Sequence, residues 1–164
     1  SIEDYSSCDF IKISNNFLIQ RGPKIVNKNV VFEKNYWKIS ASHNGYFKKF
    51  KLDHHREIEF YPEQFKFIGH DKILSKNPDK QIKFDIRFHL HPDSRVMKTQ
   101  NNKFILIQLG DEGWQFSCDN YDINIDNGLY FGNKNSYQEN QNIFISGMNN
   151  ESEQIIKWEI SKIK

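Results

Sequence analysis

The sequence predicts an all-β protein: an antiparallel β-sandwich of about ten or more strands, with no substantial helix. Three observations carry this. Apolar and polar residues alternate with a period of two along many short runs, no run repeats with the helical period, and Asn, Gly, Asp or Pro interrupts the chain about every eight to twelve residues.

Taken in order, Trp37, Ile39 and Ala41 point one way and Lys38, Ser40 and Ser42 the other, before Asn44-Gly45 turns the chain. Leu52, Ile58 and Phe60 share a face opposite Asp53, His55, Glu57 and Glu59, and Phe65 and Phe67 continue the pattern up to Gly69. Phe84, Ile86, Phe88 and Leu90 alternate without error against Asp85, Arg87, His89 and His91; Pro92 ends this run because proline has no N–H for a ladder. Phe104–Leu109 is apolar on both faces except at Gln108, which predicts a central strand covered on both sides. Gly110-Asp111-Glu112-Gly113 reads as a hairpin loop leading to Trp114, Phe116 and Cys118 on one face. Tyr121, Ile123 and Ile125 follow, and Asn127-Gly128 carries the signal of a two-residue turn. Leu129–Phe131, Asn142–Ser146 and Ile155–Ile160 complete the strands, with Asn- and Ser-rich loops expected at 133–142 and 149–152. With no repeat, low-complexity tract or linker, residues 1–164 read as one β domain.

The chain has 164 residues and a net charge of +2, and its basic residues are nearly all lysine, with arginine only at positions 21, 56, 87 and 95. So small a net charge argues against a nucleic-acid partner, which calls for a basic stripe. No apolar run approaches the roughly 20 residues that cross a bilayer, so no membrane partner is expected. Hydrophobic content is low at 37%, but 14 Phe, 7 Tyr and 3 Trp supply enough bulk for a core. Cys8 and Cys118 lack a CxxC neighbour, which excludes a zinc ribbon or thioredoxin-type motif and leaves a disulfide or two buried thiols. The chain opens at Ser1 without a methionine or an apolar leader, as a processed protein or a piece of a longer one would. No nucleophile elbow, phosphate loop, dinucleotide fingerprint or zincin motif occurs, and a glycosidase carboxylate pair is not marked. Asn150-Glu151-Ser152 matches a glycosylation triplet of a kind frequent by chance.

Some residues break the alternation. His54 and Arg56 fall on the apolar face of their strand with Leu52, Ile58 and Phe60, and His43 ends the Trp37/Ile39/Ala41 face. A buried guanidinium needs a partner, so these residues are satisfied core groups, a face turning to solvent, or a polar pocket or interdomain contact. Arg87, His89 and His91 form a row with about 7 Å between successive residues. Such a row suits a carboxylate or sulfate, since Arg clamps in a fork and His donates hydrogen bonds. A plain solvated face and a metal site through His89 and His91, with His43 or His54, are the alternatives. The sequence itself calls for no cofactor.

Several segments in order then define a resemblance: Ser40-Ala41-Ser42-His43-Asn44-Gly45-Tyr46, His54-His55-Arg56, Arg87-Phe88-His89-Leu90-His91-Pro92, Gly113-Trp114-Gln115-Phe116, Gly128-Leu129-Tyr130-Phe131-Gly132, Gln141-Asn142-Ile143-Phe144-Ile145-Ser146-Gly147 and Lys157-Trp158. From about Tyr36 to Ile160 the chain resembles the C-terminal β-sandwich of bacterial heparinase II/III-like proteins. The resemblance implies a parent with a helical (α/α) toroid ahead of the sandwich. Enzymes of the family are polysaccharide lyases that cleave uronic-acid polymers by β-elimination. A base takes the C5 proton, Asn or His neutralises the adjacent carboxylate, and an acid, often Tyr, assists the leaving oxygen. The family's catalytic Tyr and Asn/His lie largely on the helical part, and its His-x-His-x-Asp-like stretch lies upstream of the matched region. Pro92 follows Arg87–His91, so that run is a different motif, and no catalytic residue is carried over. The implied role is support for the helical domain and for one side of a cleft holding acidic polysaccharide, with His43, His54, Arg56, Arg87, His89 and His91 as binding or interdomain candidates. A free-standing carbohydrate-binding module stacking sugars on Tyr46, Trp114 or Tyr130 is the alternative, and a His-ligated metal β-barrel a third. The resemblance favours a periplasmic location.

Overall fold

The computed structural model describes residues 1–14, 16–100, 103–132 and 136–163. Thirteen strands occur in this order: β1 (Asp9–Ile13), β2 (Asn16–Arg21), β3 (Ile25–Glu33), β4 (Tyr36–His43), β5 (Leu52–Tyr61), β6 (Lys66–Ser75), β7 (Ile82–His89), β8 (Arg95–Lys98), β9 (Phe104–Leu109), β10 (Glu112–Cys118), β11 (Ile123–Tyr130), β12 (Gln138–Asn149) and β13 (Glu153–Lys162). One short helix, α1 (Phe47–Phe50), and a 3₁₀ turn at Pro62–Gln64 interrupt them. The fold is the all-β sandwich that the alternation predicts. An eight-stranded antiparallel sheet, β3-β4-β5-β6-β13-β10-β9-β8, packs against a three-stranded sheet, β11-β12-β7, and β1-β2 form a separate hairpin.

The core lies between the two larger sheets. Leu52, Ile73, Ile105, Phe116, Ile156 and Trp158 come from the large sheet and Ile82, Phe84, Ile86, Ile123, Ile143 and Ile145 from the small one. Aromatic rings bridge the layers: Phe88 of β7 meets Phe116 and Trp158 with ring centres 4.8 Å from each. The outer face of the large sheet carries half-buried ion pairs such as Lys38–Glu57 and Lys66–Glu159, as the period of two places them there.

Several local expectations are corrected. Asn127-Gly128 is no turn; β11 runs straight through it, paired with β12 from Ile123 to Tyr130. Gly128 is there for space, because a Cβ would sit 2.1 Å from the Asn142 amide nitrogen. Likewise, residues 138–142 belong to β12 rather than to a loop, and Asn140 and Asn142 are buried; positions 133–135 lie outside the described residues. The hairpin after β9 turns on Gly110-Asp111 alone, since Glu112 and Gly113 already pair with Leu109 and Gln108. Phe104–Leu109 is not buried on both faces: Ile105 and Ile107 are buried on one, whereas Phe104 and Leu106 on the other are only half-buried and Gln108 is exposed. β7 ends at His89, before Pro92, so His91 lies off the strand. Cys8 and Cys118 are free and half-buried rather than buried; burial, reinforced by Asp119 and Asp71, pushes the Cys118 thiol up to about 12.

Candidate functional site

Strand register builds a polar cluster into the inner face of the large sheet. Arg56 of β5 stands opposite Asp71 of β6, His54 opposite Ile73, and His43 of β4 opposite His54. The Asp71 carboxylate, fully buried, accepts four hydrogen bonds: from Arg56 Nε at 2.8 Å and Nη2 at 3.1 Å, from His54 Nε2 at 2.6 Å and from Trp158 Nε1 at 2.8 Å. Burial pushes this carboxyl up, but the bonds from His54 and Arg56 and the Arg56 charge outweigh it and hold Asp71 below its ordinary value. The Arg56 guanidinium carbon lies 5.4 Å from the Phe88 ring centre.

The two histidines extend this cluster as a directed chain. The Gly45 N–H donates to His43 Nδ1 at 3.2 Å, and His43 Nε2 lies 3.1 Å from His54 Nδ1. Because Nδ1 of His43 is an acceptor, its proton sits on Nε2, which donates to His54 Nδ1; the His54 proton therefore sits on Nε2 and goes to Asp71. Burial, followed by the proximity of His54 and Arg56, lowers His43 to about 4, in keeping with a neutral ring. All four ring nitrogens are committed within the cluster. In this arrangement neither imidazole has a lone pair free to take a substrate proton.

Beside the cluster lies a cavity of about 490 Å³ whose walls include His43, Tyr46, His54, Arg56, Arg87 and His89. Five of the six polar candidates and one aromatic candidate thus meet at one place. Arg87 reaches it from β7, but its side chain crosses the outer face of the small sheet, 4.9 Å from the Phe144 ring centre, to pair with Asp126. Asp85 lies 3.7 Å from the same guanidinium. His89 is exposed at the end of β7, whereas His91 lies outside the cavity, against Tyr130 with ring centres 5.3 Å apart. Tyr46 is half-buried beside His43 and hydrogen-bonded to Ser7, and burial raises its phenol. Trp114 packs on the core and donates to Glu112 at 3.3 Å, and neither it nor Tyr130 lines the cavity with Tyr46. Among the described residues, no group of three or more His, Cys, Asp or Glu is arranged to hold a metal ion.

Sequence reasoning missed the partners: Asp71, Trp158 and Asp126. Asp71 carried a signal, since it falls on the buried parity of Gly69, Asp71, Ile73 and Ser75.

Fold and site together define a two-sheet β-sandwich domain with an ion-paired polar cavity beside the free edge of its smaller sheet. The model of the Heparinase II/III-like, C-terminal family matches residues 1–159, and the chain belongs to that family; the match reaches further upstream than Tyr36. Among curated proteins it is similar to FtsZ-localized protein C of Caulobacter vibrioides, 26% identical over 133 residues that cover 76% of this chain and 23% of that protein. Among solved structures it is similar to heparan sulfate lyase HepC from Pedobacter heparinus, with TM-score 0.70 and 12% identity over 87% of this chain and 22% of that one. It is also similar to the heparinase III BT4657 gene product, with TM-score 0.66 and 11% identity at the same coverage. The chain therefore spans less than a quarter of the length of these relatives.

Proposed function

We propose that this chain is the C-terminal β-sandwich of a heparinase II/III-like polysaccharide lyase. In this reading it seats the helical domain of the parent protein and lines one side of the cleft in which a uronic-acid-containing polymer undergoes β-elimination, and it is not catalytic alone. The observation that carries the reading is the closed Gly45–His43–His54–Asp71 chain. A site whose imidazoles and buried carboxylate are all consumed in holding one another has the chemistry of a positioning scaffold. The acid and base of an elimination must come from elsewhere in the parent. Family membership and likeness in fold to two lyases support the same assignment. The different settings of Tyr46, Trp114 and Tyr130 favour this reading over a free-standing sugar-stacking module.

The test compares Arg87→Ala with Lys83→Ala in the full-length protein. Arginine in a lysine-rich chain marks a need for planar, bidentate geometry, and the Arg87 guanidinium is tied to Asp126 whereas the Lys83 ammonium meets the exposed Asp4. Arg87→Ala should weaken polymer binding or docking of the helical domain roughly tenfold, the equivalent of one charge-assisted contact, with little change for Lys83→Ala. Equal effects at both positions would remove Arg87 from the interface.

A further inference from the structure

β7 is the edge strand of the small sheet, and among the described residues that edge is only partly occupied. The Asp85 N–H donates to the Ser1 carbonyl at 3.0 Å, the Ser1 nitrogen donates to the Asp85 carbonyl at 2.6 Å, and the Glu3 N–H donates to the Lys83 carbonyl at 3.0 Å. Ile2, bridged antiparallel to Phe84, buries its side chain in the core. In a strand, alternate residues send both main-chain groups to the same side. Lys83 and Asp85 face the open edge, so Arg87 and His89 face it too. Leu90, of opposite parity, donates instead to Gln141 of β12. The ladder of Ser1–Glu3 thus ends before Arg87, and the cavity lies beside the uncovered stretch.

We propose that the open stretch of β7 is a strand-addition site, occupied by the polypeptide that precedes Ser1 in the longer protein. This rests on the reading that the chain is one domain of a longer parent. The register fixes the contacts. Counting back from Ser1 opposite Asp85, the second upstream residue faces Arg87 and the fourth faces His89, each exchanging a pair of N–H···O=C bonds. The residue directly upstream of Ser1 lies opposite Ile86 on the same face as Ile2, so its side chain enters the cavity lined by Leu52, Ile73, His54 and Arg56. A main chain needs no ionic partner here, since Arg56 is already paired with Asp71 and Arg87 with Asp126. The relatives are far longer than this chain and the family is a C-terminal one, which leaves room for such a segment, and an unpaired edge is a feature that folds normally cover.

Amide hydrogen exchange in the full-length protein, without polysaccharide, tests this. Arg87 and His89, like the hydrogen-bonded Asp85, should exchange at least about a hundredfold more slowly than unstructured amides. Proline at the second upstream position, which lacks an N–H, should lower protection at Arg87 about tenfold or more and leave Asp85 unchanged. Rapid exchange at Arg87 and His89 with Asp85 still protected would overturn the proposal, as would a proline variant that leaves Arg87 protected. Protection that appears only on adding acidic polysaccharide would also overturn it while leaving the lyase reading intact. Protection without polymer, combined with no polymer binding by the parent, would uphold the strand and overturn the cleft.

Discussion

At Asp71 the balance between burial and pairing can be followed bond by bond. Its four donors are placed for a carboxylate, and an amide at the same position would turn an N–H towards one of them. Asp71→Asn should therefore cost about 3 kcal/mol, the scale of breaking a buried ion pair, read from denaturant midpoints at pH 7. The pH dependence has two parts with the same sign. His43 has an ordinary value of 6.5 and a folded value of about 4, so between these the unfolded chain binds a proton that the folded chain refuses, and stability falls as pH drops through that window. Asp71, held low in the fold, contributes stability above its ordinary value that is lost as pH falls through its lowered one. His43→Asn should flatten the pH 6.5-to-4 segment of the stability curve and leave the more acidic loss in place. Nitrogen-15 spectra should find both His43 and His54 as Nε2–H tautomers; an Nδ1–H tautomer at His43 would break the chain. His54 and Arg56 were legible in the sequence because they violate alternation. Their partner was not, because which acid meets Arg56 depends on the register between β5 and β6, and that is set by the whole sheet.

At the level of strands, alternation was readable where the two faces differ in burial, as along β7, where Ile82, Phe84 and Ile86 are buried, Lys83 and Arg87 half-buried and His89 exposed. It failed at the start of the chain, where β3 has almost no buried face: of its nine residues, only Val31 is not exposed. It misled at Gly128, where a turn signal marks the close approach of Asn142. Gly69 teaches the same lesson more sharply. It sits within β6 opposite Trp158 of β13, and a Cβ there would lie 2.0 Å from two indole carbons. That indole cannot retreat without giving up its 2.8 Å bond to Asp71. Gly69→Ala should then destabilise the domain by about 1–3 kcal/mol, the range for overpacking a core, and shift the Trp158 fluorescence. An alanine variant with unchanged midpoint and emission would show that the two strands are free to part.

Across the whole molecule, eight strands face three, and the small sheet cannot cover the large one. The uncovered part is the β3–β4 end. There Val30 stands opposite Ile39 and Phe32 opposite Trp37 on the same side as the core, with Phe32 74% and Ile39 57% exposed. Phe32 and Trp37 stack with centres 5.0 Å apart, and Trp37 continues onto Phe60 at 5.0 Å, so the row is a contiguous apolar strip and not scattered side chains. β3 is also an edge strand with unpaired main-chain groups, and a flat apolar edge is a template for another strand. The 164-residue chain on its own should accordingly associate at micromolar to millimolar concentration in sedimentation velocity. Phe32→Lys places a charge on that edge and removes the most exposed ring, so it should return the chain to monomer. Since Phe32 contributes little buried area, the unfolding midpoint should move by less than about 1 kcal/mol. If the wild-type chain stays monomeric at the highest of these concentrations, the strip is too small or too twisted to recruit a partner. If Phe32→Lys lowers stability by several kcal/mol, Phe32 is packed far more tightly than its exposure indicates.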